Sequence, residues 1–306
     1  MKVVESVAGN GFSPLPVAAV ARARDARVRS VTAALLIGVD FSSRPTARKP
    51  IVLAHGARTG AAVTLSGLDR FESLDAFGAW LRRPGDWVGG FDFPFGLPRA
   101  LVEHLGWPTD WLACMRHYTA LPRAQIRDTF AAFCAARPAG AKFAHRACDG
   151  PAGSSPSMKW VNPPVAYMMH AGVPLLLAAR VHLPGLHDGD VRRIALEAYP
   201  GLLAREVVGA QSYKSDDARK HTDDRLLARI AIVDALLEGR TRLKLRLRLR
   251  PAQREALLAD ASGDALDAAL CLLQAAWSTT QARHGQPARV DPLEGWIVST
   301  PTPDAA

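Results

Sequence analysis

Paired cysteines, long apolar runs, glycine-rich phosphate loops and internal repeats are all missing from this chain. The four cysteines, Cys114, Cys134, Cys148 and Cys271, form no C-x-x-C pair. That spacing argues against a zinc knuckle or a redox dithiol and predicts reduced thiols in a cytoplasmic protein. No apolar run approaches the ~18 residues of a spanning helix, so no membrane association is expected. Histidines His117, His145, His170 and His221 show no metal-ligand spacing. Near the start, Val17–Ala21 is too short for the apolar region of a signal peptide, and Arg22, Arg24, Arg27 and Arg29 follow it rather than precede it. Residues 1–30 therefore read as a poorly ordered basic extension, or as a start codon placed too early. Residues 299–306 read as a tail.

What remains is the composition of an ordinary globular protein: 306 residues, 48% hydrophobic and 22% charged. The formal net charge is +9. A basic balance of this size suits a polyanionic partner such as nucleic acid or nucleotide, although arginine-rich, alanine-rich chains are also basic for reasons of base composition.

Residues 31–41 are apolar and β-prone, as in a strand buried on both faces. Ile51–Ala54 and Ala61–Ser66 read as two further strands, with Gly56–Gly60 as the hairpin loop. Ser73 is placed to cap a helix to about Arg82, followed by a buried strand over Trp87–Phe91. From about 98 to 182, short helical stretches (Trp111–Tyr118, Arg123–Ala136) alternate with Pro/Gly/Ser-rich loops, which predicts an insertion beside the sheet. Val191–Ala198 reads as a strand, Asp223–Leu237 as a helix, and Ser262 as the cap of a final helix to about Arg283. Three strands joined by tight turns, then helix, strand, inserted material, strand and helices, is an α/β plan with a mixed sheet. Residues 31–298 are expected to form one domain.

One segment, Leu243–Arg250, alternates strictly between apolar and basic residues. It fits either a phosphate-tracking ridge or an edge strand whose cations discourage edge-to-edge pairing. Trp160 fits either a stacking platform for a base or simple packing.

Acidic residues stand at telling positions. Asp40 ends the apolar run Leu35–Val39, and Asp92 lies between Phe91 and Phe93. Glu197 lies between Leu196 and Ala198, and Asp264 and Asp267 share one face of a helical first turn. A carboxylate at the C-terminal end of a strand lies where open α/β sheets form their ligand crevice. An unpaired carboxylate within an apolar run costs several kcal/mol, so a cation is expected nearby. Each position also has a plainer explanation. Asp40 could make a turn, Glu197 could pair with Arg192 or Arg193, and Asp264 and Asp267 could simply favour a helix N-terminus. Taken together the set suits an oxygen-rich site for Mg²⁺ or Mn²⁺.

The ordered set Gly38–Ser43, Asp92–Pro98, Glu197–Pro200, Ser212–Lys214 and Ser262–Ala268 resembles the domain of unknown function 429 family, from about residue 33 to Ile297. Proteins of that family are predicted to be ribonuclease-H-like nucleases. The resemblance implies a five-stranded mixed sheet with strand two antiparallel to the rest and helices on both faces. It implies metal-binding roles for Asp40, Asp92, Asp267 and Asp264, whose D-x-x-D spacing is similar to that of Holliday-junction resolvases. Glu197 matches the family's Glu-x-x-Pro pattern and is carried over as a catalytic residue. The implied activity is phosphodiester hydrolysis with two divalent cations, Mg²⁺ or Mn²⁺, on a nucleic-acid or other phosphoester substrate. Lys214, Arg219 and Arg225, with Lys220 beside them, are candidates for phosphate contacts, or else a solvated basic face. Two other readings stand beside it: a non-catalytic nucleic-acid-binding or partner-binding protein, and a phosphotransferase of the actin and sugar-kinase type. Against the second, Ser42-Ser43-Arg44-Pro45 replaces a glycine-rich turn and no duplication is present.

Overall fold

The computed structural model describes Met1 and residues 35–302. The expected extension over residues 1–30 lies, apart from Met1, outside the described residues. Among those residues, seven strands form one mixed sheet flanked by helices. The strands are β1 (Leu35–Asp40), β2 (Ile51–Thr59), β3 (Ala62–Phe71), β4 (Trp87–Phe91), β5 (Val181–His182), β6 (Asp190–Glu197) and β7 (Arg246–Arg248). Their order is β5-β6-β4-β1-β2-β3-β7. β2 pairs antiparallel with both β1 and β3, and every other pairing is parallel. The sheet thus has two strands more than the five expected. Both are short and lie at the edges; β5 is two residues long and gives no periodic signal, whereas β7 falls within the alternating run Leu243–Arg250.

The β2–β3 hairpin is tighter than expected, since both strands run on to a turn at Gly60-Ala61. Gly60 has φ +60° there, a left-handed conformation that glycine adopts without strain. The alternating run resolves as an edge: Leu243, Leu245 and Leu247 are buried while Lys244, Arg246 and Arg248 face solvent. Only Arg246–Arg248 pairs with β3.

Two helical layers cover the sheet. On one face lie α1 (Leu74–Leu81), α2 (Arg99–His104), α3 (Trp111–Ala120), α4 (Arg123–Ala135) and α6 (Val165–Ala178). These pack with Ile37, Val39, Leu53 and Phe91 into one core. Trp160 belongs to that packing, against Phe143 and Phe130. Between α4 and α6 lies the single turn α5 (Asp149–Ala152). On the opposite face, α7 (Pro200–Val208), α8 (Asp223–Glu238), α9 (Pro251–Ala259) and α10 (Asp264–Ser278) pack with Leu36, Val52 and Val88 into a second core. The split of neighbouring residues Leu36 and Ile37 between the cores follows from the period of two along a strand.

α10 is buried along almost its entire length, which explains why its sequence is apolar on every side. It lies directly on the centre of the sheet. A Cβ on Gly38 would stand 2.1 Å from the Ala268 carbonyl oxygen, and one on Gly90 2.5 Å from that of Cys271. The helix starts at Gly263 (φ +78°), not under a Ser262 cap. Asp260 does the capping, accepting the Ala265 amide at 2.8 Å, while the Ser262 hydroxyl donates to Asp260 at 2.6 Å. It also ends sooner than expected, at Ser278. Beyond Ile297, Ser299 and Thr300 are buried.

Candidate metal centre

Strand periodicity decides which acidic residues can meet. Asp40 has the parity of Leu36 and Gly38, so its side chain leaves β1 on the α10 face. Asp92 has the parity of Val88 and Gly90, and its amide continues the ladder by donating to the Val39 carbonyl at 2.9 Å. The first turn of α10 brings Asp267 down onto the same spot. The three residues each offer a carboxylate oxygen, and these oxygens all lie within 4.8 Å of one another. Among the described residues, neither the Asp40 nor the Asp92 carboxylate has a hydrogen-bonding partner.

Gathering these charges under a helix shifts their titration. Burial, then the Asp267 and Asp264 carboxylates, holds Asp40 well above the usual carboxylate range. Burial, with Asp267 next, pushes Asp92 up to about 7. Burial also raises Asp267, against the opposing pull of Lys214 and of the Tyr213 hydroxyl.

Two lysines partly balance the cluster. Lys214 Nζ donates to Asp267 Oδ2, and the Tyr213 hydroxyl donates to Asp267 Oδ1 at 2.6 Å. Burial alone would lower the Lys214 ammonium, but Asp267, Tyr213, Asp40 and Asp92 together outweigh it and leave it well above the usual lysine value. The loop carrying both residues is tied down by the buried Arg229 of α8, which donates to the Tyr213 carbonyl at 2.8 Å. Lys49 reaches in from the β1–β2 loop and donates to Asp264 at 2.6 Å and to Asp216 at 2.7 Å. Asp264 is therefore close to the cluster but engaged with Lys49, and is not one of the three converging carboxylates.

Glu197 does not join them. It is paired across the ladder with Phe91, so it points to the opposite face of the sheet from Asp40. There Arg146 grips it in a fork, Nη1 to Oε2 at 2.7 Å and Nη2 to Oε1 at 2.6 Å. The Phe95 amide adds a bond at 2.9 Å. Arg146 also holds the buried Asp149 at 2.9 Å. The partner is neither Arg192 nor Arg193, which pair with Asp190 instead. The geometry of Glu197 is that of a buried ion pair rather than of a ligand or catalyst at the aspartate cluster.

The expected phosphate-binding residues also separate. Lys214 lines the cleft over the aspartates. Arg219 is exposed and pairs with Asp217 at 3.0 Å, and Arg225 donates to the Lys220 carbonyl. Lys49 and Arg146 escaped the sequence reading because their partners lie 215 and 51 residues away.

The cleft above the cluster has a volume of about 520 Å³. Its lining includes Asp40, Asp92, Lys49, Lys214, Tyr199 and Arg205. An all-oxygen donor set with two carboxylates, Asp40 and Asp92, that lack hydrogen-bonding partners among the described residues fits a hard divalent cation such as Mg²⁺ or Mn²⁺. No family model, curated protein or solved structure matches the chain. No helix among the described residues is long and apolar enough to cross a membrane.

Proposed function

We propose that this protein is a metal-dependent nuclease that hydrolyses phosphodiester bonds at the Asp40–Asp92–Asp267 cluster. The observation that carries the reading is the meeting of those three carboxylates within 4.8 Å, two of which, Asp40 and Asp92, line an open cleft with Asp267 buried behind them. Three like charges, two of them buried and the third partly so, are costly to hold together unless a cation is part of the working state. The order β3-β2-β1-β4-β6, with β2 alone reversed, supports it further. On this reading those five strands would be the ribonuclease-H-like plan that the resemblance to the domain of unknown function 429 family implies, with β5 and β7 as edge additions.

On this reading Asp40 and Asp92 hold Mg²⁺ or Mn²⁺ directly, with Asp267 as the third ligand. A bound divalent cation supplies charge neutralisation at the phosphate and lowers the pKa of a coordinated water. Lys214 lies at the cleft wall, where its ammonium can exchange Asp267 for a substrate phosphate oxygen. Tyr213, by donating to Asp267 Oδ1, fixes the orientation of that carboxylate. A second cation requires Asp264, and so requires Lys49 to leave it.

Calorimetric titration with Mn²⁺ tests the proposal on the wild type and on the Asp40→Asn, Asp92→Asn double variant. Saturable binding that the double variant lacks, together with Mn²⁺-dependent cleavage of labelled oligonucleotides, is the expected result. Identical weak binding in both proteins would sink it. One observation favours a second reading, a nucleic-acid-binding protein without catalysis: Lys214 and Lys49 already give Asp267 and Asp264 a cation each. Oligonucleotide binding without Mn²⁺ uptake would select that reading.

A further inference from the structure

Beside the cleft, between the β1–β2 loop and α4, lies a second depression of about 350 Å³. Its lining includes Ser43, Arg44, Arg123, Arg127, Pro164 and Tyr167. Ser43 and Pro164 also line the aspartate cleft, so the two depressions are neighbours. Three arginines face this groove and no carboxylate lines it. Among the described residues only Arg127 of the three has an acidic partner, Asp128 at 2.8 Å, and both of these side chains are exposed.

The groove is built as well as charged. Arg123 Nη2 donates to the Ser43 carbonyl at 3.0 Å, and its guanidinium lies 5.1 Å from the centre of the Tyr167 ring. The Tyr167 hydroxyl in turn donates to the Arg123 carbonyl at 3.2 Å. Burial, with repulsion from Arg44 next, lowers the pKa of Arg123. Among the described residues the Arg44 guanidinium has no hydrogen-bonding partner. Two like charges, Arg44 and Arg123, held together over a fixed backbone without a carboxylate between them favour an anion, and planar guanidinium groups match phosphate oxygens.

We propose that this groove binds the phosphates of a polynucleotide strand whose scissile phosphodiester lies at the aspartate cluster. The strand would leave the cleft past Ser43 and Pro164 and run along Arg44, Arg123 and Arg127. The inference rests on the nuclease reading and narrows it: the substrate is a polynucleotide chain, not a small phosphoester that the cleft alone could hold.

The test uses the full chain and the Arg44→Glu, Arg127→Glu double variant, both positions being exposed. Binding of a fluorescein-labelled oligothymidylate of about 20 nucleotides is followed by anisotropy in EDTA, across a salt series. The double variant is expected to bind about tenfold more weakly or worse, with the salt slope reduced by about 1.4, as two lost phosphate contacts imply. Mn²⁺ binding, and Mn²⁺-dependent hydrolysis of bis(p-nitrophenyl) phosphate, should be unchanged. An affinity and slope equal to those of the wild type would overturn the proposal, as would a wild type that binds no oligonucleotide. An equal loss in the control variant Arg192→Glu, Arg240→Glu would also overturn it, because net charge alone would then explain the effect. Binding in EDTA does not depend on the metal. A wild type that fails to take up Mn²⁺ would therefore count against the nuclease reading, while the variant's effect on oligonucleotide binding still reports on the groove.

Discussion

Gly38 of β1 and Ala268 of α10 are in such close contact that a Cβ on Gly38 would stand 2.1 Å from the Ala268 carbonyl oxygen. This contact sets how near Asp267, one residue before Ala268, comes to Asp40, two residues after Gly38. Gly38→Ala must push the helix from the sheet, because the obstacle is backbone and cannot rotate away. A loss of about 3 kcal/mol in urea unfolding is expected, with Mn²⁺ affinity falling in the same protein. Full stability in that variant would show that the helix has room to shift.

Metal uptake should depend on pH with a defined sign. Asp92 titrates at about 7 in the fold against 3.8 ordinarily. Between those values the folded chain holds more protons than the unfolded one, so the metal-free protein loses stability as pH rises through that window. Mn²⁺ needs the ionised carboxylate, so its affinity should climb from pH 6 to pH 8, with protons released to the buffer. Calorimetry in two buffers of different ionisation enthalpy measures both. An affinity flat across this range would contradict the assignment of Asp92 as a ligand.

Asp40→Asn should separate stability from function. Removing one charge from the cluster relieves repulsion, so the metal-free variant is expected to gain about 1–2 kcal/mol in EDTA. The same variant should lose Mn²⁺ binding. A destabilised Asp40→Asn protein would mean that the carboxylate makes a bond the fold depends on.

The Arg146 network predicts a contrast between its partners. Arg146→Met strands Glu197 and Asp149 as buried, uncompensated charges and should cost about 3–5 kcal/mol by chemical denaturation. Glu197→Gln keeps the shape and should leave Mn²⁺ affinity within about twofold of the wild type. A larger loss of affinity would restore Glu197 to the metal site.

Lys49→Ala frees Asp264 from its ammonium. The expected result is a rise in Mn²⁺ stoichiometry from one ion to two, read from the calorimetric end point. An unchanged value of one would mean that Asp264 lies too far from the cluster to share in a second site.

Asp40 and Asp92 could be read from sequence because one ends and the other interrupts an apolar run, where a charge needs a reason, while Asp267 stood out only by its spacing from Asp264 in a helical first turn and by the family resemblance. Glu197 interrupts one in the same way, yet lies on the other side of the sheet. One strand's pattern fixes that its residues alternate, but not which face the neighbouring strand's acid shares. Lys49 and Arg146 sit in loops without periodicity and meet partners only through the tertiary fold. The central strands and α1 followed from apolar runs and a serine cap that indeed accepts the Ala76 amide. The edge strand β7 showed in the alternation of Leu243–Arg250, while β5 and the early end of α10 left no local mark.

The aspartate cluster joins the first described strand to the last long helix, and Lys49 and Asp264, which bond beside it, are 215 residues apart. Nearly the whole chain must therefore be folded before three of the carboxylates can share an ion. During synthesis the emerging protein would expose Asp40 and Asp92 long before Asp267 exists, with no partner to complete the set. Whatever chemistry the cluster performs is thus withheld from every partly made chain, and ion uptake would mark the moment at which folding is complete.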